Sequence, residues 1–257
     1  MKRIHRIVIL SLLGVFLGCD DQSPIFKQLD SPITITIKES HDYNTTGEPK
    51  IVLKMATVIT YECSNYQLAI TEQKVKNVLR LNIQGISTGG ICLTALGPAT
   101  VSIELNEAIE QLEIRNGEFI DRYDIDIDDE KIKVIPVEEN FSSILDSPSV
   151  RFPFNSLACI CGTQPNYSTT CDDFRELLKN QENLTEFQFT TGIIPYPDSS
   201  SGHWINTPST FYTYTSENDF RKVGELLQKF SDEHITANSG VSIQLINWKN
   251  ESFRSSD

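Results

Sequence analysis

Apolar residues recur at every second position across much of the span 33–137, in runs too short for helices. That pattern restricts the first half of the chain to β-structure. Ile33, Ile35 and Ile37 alternate with Thr34 and Thr36, and Leu79, Leu81 and Ile83 alternate with polar residues. Val101, Ile103 and Leu105 repeat the pattern after Gly97-Pro98. A period of two places alternate side chains on opposite faces of a strand. Residues 51–61 and 66–71 add strand signals, and 91–96 is a further apolar run. Asn116-Gly117 separates 111–115 from 118–127, and the dipeptide predicts a type I′ hairpin with positive φ at both positions. With 131–137 these strands form a meander. Many short strands with frequent turns and no helical stretch predict an all-β sandwich or barrel over 31–137, taken as a sandwich.

Residues 138–149 read as a linker, with Glu138-Glu139, Ser142-Ser143 and Ser147-Pro148 and few apolar residues in series. Beyond it the periodicity changes. An apolar strand at 157–161 is followed by a helix start at Thr170, with Asp172 and Asp173 near the positive end of the dipole. Phe174, Leu177 and Leu178 give that helix its apolar face. Strands at 185–191 and 209–215 follow. Ser216 and Asp219 then open a second helix, striped by Phe220, Val223, Leu226, Leu227 and Phe230, and 241–248 is a last strand. The order β-α-β-β-α-β predicts a ferredoxin-like α+β domain over 150–257, with four antiparallel strands and two helices on one face.

The first residues do not belong to either domain. Lys2, Arg3 and Arg6 precede an apolar run from Ile7 to Phe16. That run is shorter than the roughly 20 residues a spanning helix needs, and the pattern is that of a secretory signal peptide over 1–18. The junction Leu17-Gly18-Cys19 resembles the lipobox of bacterial lipoproteins, with Phe16 where that family most often has Leu. The resemblance covers only the leader. It implies cleavage before Cys19, acylation of its sulfur, and membrane anchoring by acyl (palmitate-type) chains, with 19–30 as a lipidated tether. Asp20-Asp21 after the cysteine resembles an inner-membrane retention signal of enteric bacteria. It also resembles the acidic surface-export signal of Bacteroidota. Residue usage rich in Ile, Asn, Thr and Asp favours the second, so a cell-envelope location at the outer membrane or cell surface is expected.

Removing the leader takes away three of 22 basic residues and none of 35 acidic ones, leaving 19 against 35, a net charge of −16. Such a balance repels phosphate backbones, so nucleic acid is not an expected partner. It also repels anionic headgroups, so the binding surfaces are expected to face away from the membrane.

With Cys19 committed to lipid, Cys63, Cys92, Cys159, Cys161 and Cys171 remain. Export permits disulfides, and an odd number leaves at least one thiol over. Cys63–Cys92 is one expected bridge. Another joins Cys171 to Cys159 or Cys161, taken as Cys161–Cys171.

Candidate chemistry is sparse. No nucleophile elbow, zinc-protease, P-loop or dinucleotide motif occurs. Cys159, Cys161 and Cys171, with His203, could form a redox or zinc site, but the paired spacings those sites use are missing. Asp124, Asp126 and Asp128 share one strand face and read as a solvated surface. The loop 195–204, longer than a hairpin needs, is the preferred recognition element, with Tyr196, His203 and Trp204 as candidate binding residues. No catalytic residue, cofactor or metal is assigned. The expected function is that of a lipid-anchored, non-catalytic binding or assembly module for a protein, peptide or glycan partner. The alternative is a thiol-dependent or hydrolytic enzyme with its site in the C-terminal domain.

Overall fold

The computed structural model describes residues 26–88, 91–197 and 205–255. The expected signal peptide, Cys19 and the expected tether up to residue 25 lie outside the described residues, as do His203 and Trp204. Among the described residues the chain is mostly β, with two α-helices.

The first unit is one ten-stranded sheet. Its strands in chain order are β1 (Ile33–Ser40), β2 (Lys50–Thr57), β3 (Gln67–Val75), β4 (Val78–Ser87), β5 (Thr100–Glu104), β6 (Gln111–Asn116), β7 (Phe119–Ile127), β8 (Lys131–Glu138), β9 (Ser142–Ile144) and β10 (Ser149–Val150). In space they run β10-β8-β7-β6-β4-β3-β5-β2-β1-β9. The sheet curls until its two ends meet. Ser149 on β10 donates from its hydroxyl to Ile37 O on β1 at 2.5 Å. Tyr123 on β7 bonds Ser142 on β9 through their hydroxyls. The alternating residues of β1, β2, β4, β6, β7 and β8 consequently share a single core, with Ile33, Ile35, Leu53, Leu81, Ile114 and Tyr123 almost wholly buried.

The curl corrects the expected two-sheet sandwich. A curled half-barrel buries one continuous inner face against itself. The expected ferredoxin-like C-terminal domain is also corrected. The second sheet has five strands rather than four, in the order β12-β13-β11-β14-β15. Those strands are β11 (Ser156–Thr163), β12 (Leu184–Phe187), β13 (Ile205–Tyr214), β14 (Ser242–Asn247) and β15 (Ser252–Arg254). The fifth arises because Asn250 takes positive φ, turning the chain back after β14 so that Ser252–Arg254 adds an edge. Helices α1 (Thr170–Lys179) and α2 (Glu217–His234) cover the face carrying Leu157, Cys159, Cys161, Ile243 and Leu245. Gly224 of α2 lies against the Phe253 ring, closer than any Cβ could tolerate.

The segment 138–149 carries β9 and runs into β10, and it is fastened rather than free. Asp121, fully buried on β7, accepts from the backbone N–H of Asn140, Phe141 and Ser142 at 2.6, 3.1 and 2.6 Å, and from the Ser142 hydroxyl. The expected β6–β7 hairpin forms one residue further on than the dipeptide suggests. Asn116 pairs with Phe119, and only Gly117 has positive φ. Glycine at the first loop position is the type II′ preference.

Candidate functional site

The two sheets meet along Ser149–Pro153, and this junction shapes a groove. Arg151 Nε donates to Glu39 Oε1 at 2.7 Å, and Nη2 donates to Glu107 Oε1 at 2.6 Å. Phe152 N–H donates to the other Glu39 oxygen at 2.6 Å. Burial alone would lower the pKa of the Arg151 guanidinium, but the bonds to Glu39 and Glu107 outweigh it and leave it raised. Further bonds cross between the domains. His41 Nε2–H donates to Trp248 O at 3.0 Å, Asn250 Nδ2 to Thr45 O at 2.7 Å, and Gly47 N to Lys249 O at 2.9 Å.

Above these bonds lies a groove of about 340 Å³. The end of β1 and residues 41–44 form one wall. Phe152, Pro195, Pro197 and the 246–250 turn form the other. Tyr43 stands on the rim with 91% of its surface exposed, while Asn44, Asn250 and Asp42 supply polar groups beside it. An aromatic ring beside amide and carboxylate groups, at a domain boundary, suits a polar ligand with an apolar face.

The preferred recognition loop begins at this groove, through Pro195 and Pro197. Tyr196 points the other way and is buried. Its hydroxyl bonds the Ser156 hydroxyl at 2.7 Å, and its ring meets Phe152 edge-on at 5.0 Å. Phe152 in turn meets His41 at 5.0 Å, so an aromatic ladder crosses the junction. Burial pushes the Tyr196 phenol far above its ordinary pKa. Its role is to support the groove wall from behind. Tyr43 was not among the sequence candidates, because a lone exposed tyrosine in a polar loop carries no signal until the fold brings Pro195 and Pro197 opposite it.

The cysteine cluster resolves into a bridge and a buried thiol. Cys161–Cys171 joins β11 to the start of α1 with an S–S distance of 2.07 Å, and Cys159 is free. Cys159 is fully buried, and that burial pushes its thiol up to about 12. It is therefore neutral and inaccessible near neutral pH. With Cys161 and Cys171 bonded to each other, the thiolate set a zinc site requires does not exist. Among the described residues no group of three His, Cys, Asp or Glu side chains could hold a metal.

The acidic strand face is divided among separate partners. Asp124 accepts from Gln111, Asp126 faces Lys133, and Asp128 accepts from Glu130 N and Lys131 N. The second bridge, Cys63–Cys92, has an S–S distance of 1.99 Å and joins two loops at the far end of β1 and β2 from the groove.

No protein-family model matches the chain, and neither a curated protein nor a solved structure matches it.

Proposed function

We propose that this chain is a lipid-anchored protein of the bacterial cell envelope, held through Cys19, that acts as a non-catalytic binding or assembly module. The groove between its domains is the seat for a protein, peptide or glycan partner. One observation carries the reading: Tyr43 is presented, solvent-facing, on the rim of a groove whose floor is fixed by hydrogen bonds from both domains. A groove fixed before the partner arrives avoids much of the ordering cost of binding. The outer membrane or cell surface is the location the acidic residues after Cys19 favour.

Two experiments test the two halves separately. Intact mass of the mature protein should place a lipid on Cys19, and Cys19→Ala should release the chain from membranes; an unmodified Cys19 refutes the anchor. For the groove, arrays of glycans and peptides should return a ligand whose binding Tyr43→Ala weakens by about tenfold without change in Tm. Unchanged binding by that variant refutes the groove.

A further inference from the structure

The end of the first sheet opposite the groove carries an apolar patch that the fold itself does not use. Ile91, Leu93 and Leu96 are 86%, 57% and 78% exposed, and Val58 and Ile59 beside them are also exposed. Their backbone is held without burying their side chains. Cys92 is bridged to Cys63. Asn65 donates to Ile91 O at 2.8 Å and accepts from Leu93 N at 3.1 Å, and Tyr61 and Gly97 exchange two backbone bonds. Gly97 lies so close to Ser64 that a Cβ would collide with its Cα. Val58 N and Ile59 N both donate to the Ser31 hydroxyl. Residues 81–103 carry no charged side chain, although the whole chain has a formal net charge of −13. An exposed apolar cluster held in place in this way marks a contact surface.

The tether enters at the base of this patch. Lys27 exchanges two backbone bonds with Ile86, at 2.9 and 2.7 Å, near the end of β4 and just before the loop begins. Gly85 makes room for them, since a Cβ there would sit 2.4 Å from Lys27 O. Cys19 is seven residues before Phe26, so an acyl group on it stays within roughly 25 Å of Phe26 even when the segment is fully extended.

From the tether length, the missing charge and the exposed apolar side chains together, we propose that Ile91, Leu93 and Leu96, with Val58 and Ile59, seat in the interfacial region of the lipid layer that holds Cys19. The proposal rests on the anchor reading above. It reverses, for this one loop, the expectation that binding surfaces face away from the membrane. It also fixes the orientation of the molecule. β1 runs from Ile33, next to the patch, to Ser40, next to the groove, a length of about 25 Å. The groove is thereby held out from the lipid. Glu62, beside the Cys63–Cys92 bridge, and Asp30, bonded to Tyr61, are exposed carboxylates at the border of this contact, so the chain seats its apolar centre without burying either charge.

The test uses the full mature protein, lipidated at Cys19, in phosphatidylcholine vesicles whose acyl chains carry bromine. Leu93→Trp and Ile91→Trp place an indole on the patch, and Tyr43→Trp places one at the groove. The expected result is loss of about half the added emission, with a blue shift, for the two patch variants, and none for the groove variant. An indole at the patch that brominated lipid leaves unquenched and aqueous iodide quenches overturns the proposal. One shielded from both shows that a second copy or a protein partner covers the patch, and overturns it too. Failure of the anchor is distinguishable, because the native chain would then not float with the vesicles at all.

Discussion

Arg151 Nε and Glu39 Oε1 are 2.7 Å apart, and Glu39, on the second strand from one end of the first domain's sheet order, is only 5% exposed. The pair joins the two sheets at the point where the chain passes from one to the other. Arg151→Met should cost about 2 kcal/mol, because it leaves a buried carboxylate with Phe152 N–H as its remaining partner. Calorimetry should then resolve two transitions where the native protein gives one. A single transition at an unchanged Tm would show that the pair does not couple the domains.

Among the described residues Asp121 has no charged partner, and it relies on N–H and O–H donors from 140–142. Asp121→Ala should destabilise the first domain by about 3 kcal/mol, since several buried donors lose their acceptor together. Hydrogen exchange should rise at Asn140, Phe141 and Ser142 before it rises at Leu53 or Met55. Equal rates throughout would place the loss in the whole sheet and not in the β9 latch.

The thiols can be counted. In the folded protein Cys159 should not react with an aromatic disulfide reagent at pH 8, because its thiol is buried and titrates only at about 12. In denaturant without reductant, lipidated protein should show a single thiol, and protein with free Cys19 should show one more. Rapid reaction of the folded form would contradict the burial of Cys159.

Helix α2 carries its own acid sensitivity. Asp219 accepts from Ser216 Oγ and N–H and from Asn183, and the Ser216 hydroxyl is the chief cause of its lowered pKa. The carboxylate's contribution is therefore full above its ordinary value of 3.8 and is lost as pH falls through the lower value of the folded state. Ser216→Ala should cost about 1 kcal/mol at neutral pH. In urea titrations the gap between native and Asp219→Asn should close on acidification. A gap that widened instead would reverse the sign of the linkage.

Much of the local structure was legible because it depends on neighbours in sequence. The Ile33, Ile35, Ile37 alternation gave β1, and Ser216 with Asp219 marked the start of α2. The burial of Asp121 is legible too, from its position in the strand. Asp121 shares the parity of Tyr123 and Ile125, so a strand that buries those residues must bury it. The run 91–96 misled for the opposite reason. Its apolar composition resembles a strand, but Cys92 and Asn65 fix it as a loop, and neither constraint is local. Tyr196 looked like a recognition residue because a Pro- and Ser-rich loop surrounds it, while Ser156 and Phe152, its partners, are about forty residues away.

Sequence alone determined the β-rich character of the first half, the positions of the helices and the parity of buried residues. It also set the distribution of charge and the lipobox-like leader. These follow from periodicity, capping and composition, which act over a few residues. Only the tertiary structure decided that the first sheet curls onto itself instead of forming two layers. The same holds for the choice of Cys161 over Cys159 as the partner of Cys171, and for Tyr43 and Pro195 facing each other across a groove. Those outcomes depend on which distant surfaces meet, and so does the pairing of Lys27 with Ile86 at the end of β4. A chain's local pattern leaves such meetings open until packing and hydrogen-bond satisfaction select among them.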